Sequence, residues 1–391
     1  MTQLQHAEIH AEDVQLKTIL LVGGSLDRQR REATRFGEKP RVDMLEVEAQ
    51  SEAQIRDYSW LRERGAHEPL TRLFAGLADR IGLWHFWLAL RVLVDLRNVG
   101  VIYATGEDVG IAMAILLRLT GQGGPRLVMR IEEPVYGRTA LRRAIIRAIV
   151  SFGLKRIDLI LTRTHAHVER LQSEFGVPAE RLRFVADTVD TEFFSPHTLP
   201  APQLVEGIAR PYILSAGLEL RDYRTLVEAV RGLPIQVVIA ASSPWSTYGF
   251  GLTREEIPDN VRVEKYTPRQ MRELFRSAAL VVVPVVPTKR SCGISVVLES
   301  MAMRRPVVAA HTEGLASYLE DGVNAATFPP GDAAALRRRL VELLENPALA
   351  ERIGERGYAC VLRHHRLQNL TNTLHSVIAT MGDRAWVARQ A

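Results

Sequence analysis

Short apolar runs alternate along this chain with longer stretches whose apolar positions recur every three or four residues. The runs at 17–22, 99–104, 126–131 and 157–162 lack the polar alternation of a half-exposed strand, so they read as strands buried on both faces. Helical periodicity follows two of them, at 109–119 and 165–175. A Pro-rich segment, Pro196-His-Thr-Leu-Pro-Ala-Pro-Gln203, then interrupts the pattern. It restarts with runs at 212–217, 235–240, 261–264, 280–284 and 306–310, and after Asp332 the chain is helical to near its end. Strands alternating with helices predict βα units, right-handed crossovers and parallel sheets. The expected architecture is α/β, with Rossmann-like halves at 1–197 and 208–365 and the Pro-rich segment as linker. Neither half carries Gly-x-Gly-x-x-Gly, which points to a cleft between domains rather than a dinucleotide site.

Ligands in such sheets sit at the carboxyl ends of the strands. Three polar clusters of the first half occupy such ends: Gly23-Gly24-Ser25, Thr105-Gly-Glu107-Asp108 and Glu132-Glu133. The glycine pair allows close backbone approach to a ligand, or is simply a tight turn. Glu132 and Glu133 could act as a base or orient an acceptor hydroxyl, or cap the next helix and pair with Arg138. Glu107 and Asp108 carry the same choice, with Asp108 suited to an N-cap. His165 and His167, at a helix start, read as surface residues.

The most informative stretch is Ser291-Cys-Gly-Ile-Ser-Val-Val-Leu-Glu299. It reads as a small-residue turn opening onto a helix, which presents unpaired backbone N–H groups and a partial positive charge to an anion. The amides of Gly293, Ile294 and Ser295 are placed for that role, and Glu299 is where a carboxylate reaches vicinal hydroxyls such as those of a ribose.

Composition narrows the class. The 391 residues are 47% apolar and 24% charged, enough for two substantial cores in a globular protein. Cys292 and Cys360 form no metal-ligand spacing and no disulfide framework, so a reducing, cytoplasmic setting is expected. No apolar run reaches the roughly 18–20 residues of a membrane span, and the polar start is no secretory signal. The formal charge of +5 comes from arginines spread throughout. With no zinc-finger spacing, RNP-like motif or basic stripe interleaved with aromatics, nucleic acid is a poor partner; an anionic nucleotide sugar or membrane surface accounts for the charge as well.

Downstream, Thr312-Glu-Gly-Leu and Glu320-Asp-Gly-Val-Asn324 precede Phe328-Pro-Pro-Gly-Asp332, and upstream Arg181-Leu-Arg-Phe-Val leads to Asp190-Thr-Glu-Phe-Phe-Ser-Pro196. With Ala216-Gly-Leu-Glu-Leu-Arg-Asp-Tyr-Arg-Thr-Leu226, this order resembles the family-4 retaining glycosyltransferases (glycosyl transferases group 1). The likeness covers about 160 to 360 well and the first half only by pattern. It implies a GT-B fold, two facing Rossmann-like domains with the nucleotide sugar held mainly by the second and residues 366–391 crossing back onto the first. It further implies a metal-independent hexosyltransferase without cofactor, in which the donor phosphate helps deprotonate the acceptor hydroxyl. Two departures stand out. Ser291 occupies the place of the family's first Glu, eight positions before Glu299, or else the turn is one residue longer before Val296-Val-Leu. The usual Arg and Lys of the first C-terminal loop are missing after Gly217, leaving Arg221 and Arg224 as substitutes, with Lys289 and Arg290 also near the diphosphate. Nucleobase contacts are expected from Lys265 and Tyr266. No His is found at an N-terminal strand end, where the family often has one. A non-catalytic nucleotide-sugar-binding protein and a sugar-nucleotide epimerase are the alternatives.

The acceptor is approached through two segments. Arg138-Thr-Ala-Leu-Arg-Arg-Ala-Ile-Ile-Arg, continuing to Arg156, is basic and amphipathic, with Ile145, Ile146, Ile149 and Phe152 at apolar positions. Such a helix lies on anionic lipid or turns its apolar face into the core. Leu83-Trp-His-Phe-Trp-Leu-Ala-Leu90 packs a core or lines a groove for a lipid or polyprenyl acceptor. Together they point toward a lipid-linked or hydrophobic acceptor and peripheral contact with an anionic membrane, on its inner face.

Overall fold

The computed structural model of the chain describes residues 16–26, 37–51, 53–67, 83–121, 124–131, 139–197, 205, 207–241 and 249–382. Two six-stranded, wholly parallel sheets carry the fold. The first contains β1 (Lys17–Leu21), β2 (Gln54–Arg56), β3 (Val99–Ala104), β4 (Arg126–Ile131), β5 (Leu159–Thr162) and β6 (Leu182–Phe184), in the order β2-β1-β3-β4-β5-β6. The second contains β7 (Tyr212–Ala216), β8 (Gln236–Ala240), β9 (Val261–Glu264), β10 (Leu280–Val283), β11 (Val307–Ala310) and β12 (Ala326–Phe328), in the order β12-β11-β10-β7-β8-β9. Strands β2 and β12 have three residues each, too few to stand out as apolar runs. In each sheet the strand order reverses once, between β1 and β3 and between β7 and β10. A crevice opens at such a reversal because the two connections leave toward opposite faces.

Twelve α-helices flank the sheets: α1 (Asp43–Ser51), α2 (Tyr58–His67), α3 (Trp84–Val94), α4 (Glu107–Leu119), α5 (Ala140–Leu154) and α6 (His165–Phe175) among the described residues of the first half, then α7 (Tyr223–Val230), α8 (Pro268–Ser277), α9 (Ile294–Ala302), α10 (Ala333–Glu345), α11 (Pro347–His364) and α12 (Leu367–Gly382). Side chains set where several begin. Thr164, Asp222, Asp332 and Asn346 each accept a hydrogen bond from a first-turn amide, and Thr267 with Gln270 forms a capping box ahead of Pro268.

The pleat sorts each central strand between two cores. In the first half, Ile19, Leu21, Ile102 and Ala104 point to one layer and Leu20, Val22, Val101 and Tyr103 to the other. The second layer is completed from far along the chain, since Leu370, Leu374, Val377, Ile378 and Met381 of α12 pack into it. Helix α12 lies against α1 and β3.

The two halves meet at a buried polar hub. Asp187, just past β6, pairs with Arg130 of β4 and Arg163 after β5. The Asp187 amide donates to the Tyr318 oxygen at 2.9 Å, and the Tyr318 hydroxyl donates to the Arg163 carbonyl at 2.8 Å. His365 Nδ1–H donates to the Asp187 carbonyl at 2.9 Å. Burial alone would push the Asp187 carboxyl up, but the Arg163 and Arg130 guanidiniums hold it below the ordinary carboxylate range. Farther out, the His165 amide donates to Ser317 Oγ at 3.0 Å. A cavity of about 480 Å³ adjoins the hub, lined by Phe184, Thr188, Tyr318, Asn324, Cys360 and His364. Its lining includes none of the residues at the β1–β3 or β7–β10 crevice.

Two surface expectations change. His165 is exposed, but His167 is buried at 4% exposure, and desolvation pushes its imidazole down to about 4, so it is neutral. On α5 only Val150, Gly153 and Leu154 are buried, while Leu141, Ile145, Ile149 and Phe152 remain exposed along one stripe. That helix therefore does not turn its whole apolar face into the core.

Candidate active site

The crevice between β7 and β10 is built largely from backbone. The β7 strand runs into Gly217, whose φ of +92° is a left-handed conformation that suits glycine. Arg221 braces this loop from beneath, its Nε donating to the Ala216 carbonyl at 2.9 Å and its Nη1 to the Glu219 carbonyl at 2.8 Å. A methyl group on Gly217 would sit 2.8 Å from Arg221 Nη2, so the loop and its brace require each other. Arg221 is also desolvated, which lowers its pKa.

Across the crevice, the turn after β10 leads to α9. Gly293 is the N-cap of that helix at φ +92°, and a Cβ there would meet Val283 Cγ1 at 2.8 Å. It supplies no side-chain cap, so first-turn amides, Ile294 and Ser295 among them, are left for an anion. Gly314 crosses this turn so tightly that a Cβ would fall 2.1 Å from the Arg290 carbonyl oxygen. Glu299, one turn farther along α9, is half-buried, and its carboxyl group has no hydrogen bond among the described residues. Loss of water raises its carboxyl to about 8, against the pull of the Arg221 charge. An unpaired carboxylate in that setting is destabilised until hydroxyl donors reach it.

The remaining second-half candidates are more scattered. Arg290 reaches Glu219 at 3.0 Å and so ties the two loops, while Lys289 reaches Glu313 at 3.7 Å on an exposed rim. Ser291 Oγ is buried and has no hydrogen-bond partner among the described residues. Lys265 is exposed past the edge strand β9, beside a half-buried Tyr266 whose phenol is pushed up to about 12 by desolvation and the Glu264 charge. Arg224 is not part of the crevice. It lies on the outer side of α7, exposed, in a 2.7 Å ion pair with Glu256. Helical geometry explains the mismatch with Arg221: the latter lies in the loop, while the former is the second residue of a helix whose buried face is Tyr223, Leu226 and Val227.

The crevice between β1 and β3 is built from side chains. Gly23 and Gly24 follow β1, and Glu107 and Asp108 open α4 after β3. Gly23 lies against Asp108, since a Cβ there would meet Asp108 Oδ2 at 2.5 Å. Asp108 Oδ1 accepts from the Val109 amide at 2.7 Å, and Oδ2 lies 3.0 Å from His85 Nδ1. The Tyr58 hydroxyl is 2.5 Å from the same nitrogen. Tyr58 is held by the Gly24 carbonyl, which accepts its amide at 2.8 Å, and by buried Asp57, which accepts from Leu26 N at 2.8 Å and Trp60 N at 2.9 Å. The sequence did not single out His85 as a site residue. It comes from the first turn of α3, not a strand end, inside an aromatic segment read as core or groove. Of that segment, Leu88 and Ala89 are buried and Leu83 and Phe86 exposed. Glu132 and Glu133 lie outside the described residues.

Known proteins can now be set beside this geometry. Residues 218–346 match the glycosyl transferases group 1 family. Over this third of the chain the likeness is to a glycosyl transferases group 1 domain. The matched region contains Arg221, the Gly293 turn and Glu299, and ends at Asn346, between α10 and α11. The chain is 27% identical over 213 residues to a D-inositol 3-phosphate glycosyltransferase of Nocardiopsis dassonvillei, covering 48% of this chain and 49% of that protein. It is 25% identical over 269 residues to the alpha-D-kanosaminyltransferase of Streptomyces kanamyceticus, covering 65% and 66%. The matches therefore span about half to two thirds of these relatives' lengths. Among solved structures, Anabaena HepE in complex with UDP superposes with a TM-score of 0.69 at 16% identity, over 93% of this chain and 100% of that one. Sucrose-phosphate synthase from Thermosynechococcus elongatus gives 0.64 at 16% identity, over 93% and 99%. At such identity the likeness is one of fold, and the fold is GT-B.

Proposed function

We propose that this chain is a retaining, metal-independent glycosyltransferase that moves a hexose-type sugar from a nucleotide-sugar donor to an acceptor hydroxyl. Glu299 carries this reading: an unpaired, half-buried carboxylate raised to about 8, on the helix whose open N-terminus faces the β7–β10 crevice. Ribose hydroxyls donate to the carboxylate, and the diphosphate takes the first-turn amides of α9. As the glycosidic bond breaks, charge gathers on the diphosphate oxygens, and amides already fixed in place stabilise it without reorganisation. Arg221 holds the loop under the donor, and Lys289 and Arg290 add positive charge at the rim. HepE, of the same fold, is described in complex with UDP and with UDP-glucose. No metal or cofactor enters this scheme.

A lipid-linked or hydrophobic acceptor, met at an anionic membrane on the cytoplasmic side, is supported by α5. Its exposed stripe of Leu141, Ile145, Ile149 and Phe152 runs beside Arg142, Arg143 and Arg147. No helix among the described residues is long and apolar enough to cross a membrane. Co-sedimentation with liposomes tests this contact: binding that needs anionic lipid and weakens with salt is expected, and none at low salt rejects it. The unpartnered Ser291 hydroxyl, standing where a Glu is usual, favours a second reading in which donor is bound but never transferred.

The deciding experiment is a thermal-shift screen with UDP-, GDP-, ADP- and TDP-sugars and the free nucleotides, followed by turnover assays. A ligand at a hundred times its Kd adds about 2.7 kcal/mol to the folded state. One nucleotide series should raise the melting temperature, and Glu299→Ala should weaken that binding by about ten-fold or more. No shift from any of them overturns the donor site; a shift without turnover leaves the binding-protein reading.

A further inference from the structure

The cavity beside the Asp187 hub draws its walls from three parts of the chain: the end of β6 and the residues after it, the loop between β11 and β12, and the junction of α11 with α12. His365 lines it and is only 6% exposed. A backbone carbonyl can only accept, so the hydrogen bond from Nδ1 to the Asp187 carbonyl fixes the Nδ1–H tautomer. Desolvation lowers the pKa of this ring and keeps it neutral near pH 7. Nε2 is then a bare lone pair without a hydrogen-bond partner among the described residues. With Nδ1 committed to the hub, Nε2 is the polar atom that His365 offers to the cavity. The rest of the lining restricts what can meet it. Four rings border the space, those of Phe184, Tyr318, His364 and His365, with the last of these 5.4 Å from Tyr318 between centroids. No lysine or arginine lines it, and the one carboxylate, Glu320, is exposed. The Arg130 and Arg163 guanidiniums of the hub are already paired with Asp187. An anion therefore meets acceptors and no cation, whereas a hydrogen-bond donor meets an imidazole lone pair. A full charge held among rings would lose its water without repayment, and rings pack best against another flat surface. The volume of about 480 Å³ lies in the range of small-molecule pockets.

We propose that this cavity is a binding site for a small, uncharged, planar heterocycle carrying N–H or amino groups, the chemistry of a free nucleobase. His365 Nε2 accepts from one N–H of the ligand, and the aromatic side chains pack against its ring. The site is separate from both crevices, and it stands whether or not the chain transfers sugars. Because its walls belong to both halves, an occupant touches each of them at once.

The test uses the full chain, with adenine, cytosine and benzimidazole as probes and benzoate (a planar anion) and glycerol as controls, each titrated with and without UDP. Long-range ¹H–¹⁵N spectra of the histidines report the tautomer and the contact, and His365→Gln assigns the resonance. The expected result is an Nδ1–H tautomer whose Nε2 signal is shifted by at least one of the three heterocycles and by neither control. The variant that checks the place is Thr373→Leu. Thr373 lines the cavity from α12, and its hydroxyl bonds only the Asn369 carbonyl of its own helix, at 2.7 Å, so a leucine keeps the helix and fills space. It should weaken the heterocycle by about ten-fold or more, the scale of an overpacked contact, with the melting temperature of the free chain little changed. An Nε2–H tautomer, or no response to any of the three up to about 5 mM, beyond the millimolar edge of weak binding, overturns the proposal. So does an equal response to benzoate, or a heterocycle affinity that Thr373→Leu leaves unchanged. Displacement of the heterocycle by UDP, with the His365 signal unmoved, would put it in the donor crevice and equally overturn this site.

Discussion

The two crevices sit at equivalent positions of two parallel sheets, yet they are made of different material. Between β7 and β10 the working surface is main chain: two glycines at positive φ, a helix start without a cap, and one carboxylate behind them. Between β1 and β3 it is side chain: a phenol, an imidazole and a carboxylate brought in by three helices. A main-chain site needs residues that get out of the way, and these must be close together in sequence because one turn makes the site. A side-chain site needs residues that reach inward, and they can come from anywhere in the fold. The first kind is suited to a ligand with a constant part, such as a diphosphate. The second is suited to a ligand that differs from one enzyme to the next.

Breaking the frame that holds the two crevices opposite each other should have the largest effect. Asp187→Ala strands the Arg130 and Arg163 charges in a buried site and should cost about 3–5 kcal/mol, the scale of an orphaned buried ion pair, read by urea denaturation. Next comes the main-chain site itself. Gly314→Ala forces a methyl against the Arg290 carbonyl, and overpacking of this kind costs about 1–3 kcal/mol; the nucleotide melting shift should vanish while the far-ultraviolet spectrum stays native. A spared nucleotide shift would mean that the turn is not part of the donor site. Arg221→Ala should lower turnover strongly by loosening the Gly217 loop. Arg224→Ala, which breaks an exposed pair with Glu256, should cost about 0–1 kcal/mol and leave turnover nearly unchanged. Equal effects from the two arginines would erase the distinction drawn between loop and helix.

The pH dependence of Glu299 gives a smaller, signed effect. Its folded-state pKa of about 8 lies above the ordinary carboxylate value, so the folded chain binds more protons than the unfolded one between those limits. Stability from this group is therefore lost as pH rises toward 8. Relative to wild type, apo Glu299→Gln should gain melting temperature as pH goes from about 5 to 9, where the carboxylate ionises. A flat difference across that range would show that the carboxyl is well solvated.

The sequence was most readable where the chemistry is local. The turn at 291–299, the Gly217 loop and the Phe328-Pro-Pro-Gly-Asp332 corner are contiguous, and each is fixed by residues whose conformational needs are specific: Gly293 must be left-handed, and Asp332 caps α10. Strand positions were readable because parallel strands buried on both faces are uninterrupted apolar runs. Arg224 was misplaced because it is the second residue of α7, on the face turned away from buried Tyr223, Leu226 and Val227. His85 was hidden for a different reason. It lies between Trp84 and Phe86, where an apolar setting predicts packing, and it takes its meaning from Tyr58 and Asp108, which are far away in sequence. The Asp187 hub was equally silent, since its partners come from β4, the turn after β5 and, in the later part of the chain, Tyr318 and His365.

The crossing of α12 also bears on how the protein is made. A ribosome releases the first half of the chain long before it reaches Leu370, Leu374 and Val377, the side chains that cover Leu20, Tyr103 and Val128. At about 5–20 residues per second, the roughly 170 residues between take on the order of ten seconds or more to synthesise. Through that interval the sheet waits with the part of one face that α1 does not cover left bare, open to chaperones and to its own kind. The final helix is then a closing step in biogenesis, and the order of translation, not only the native contacts, decides how much of this protein survives to bind a donor.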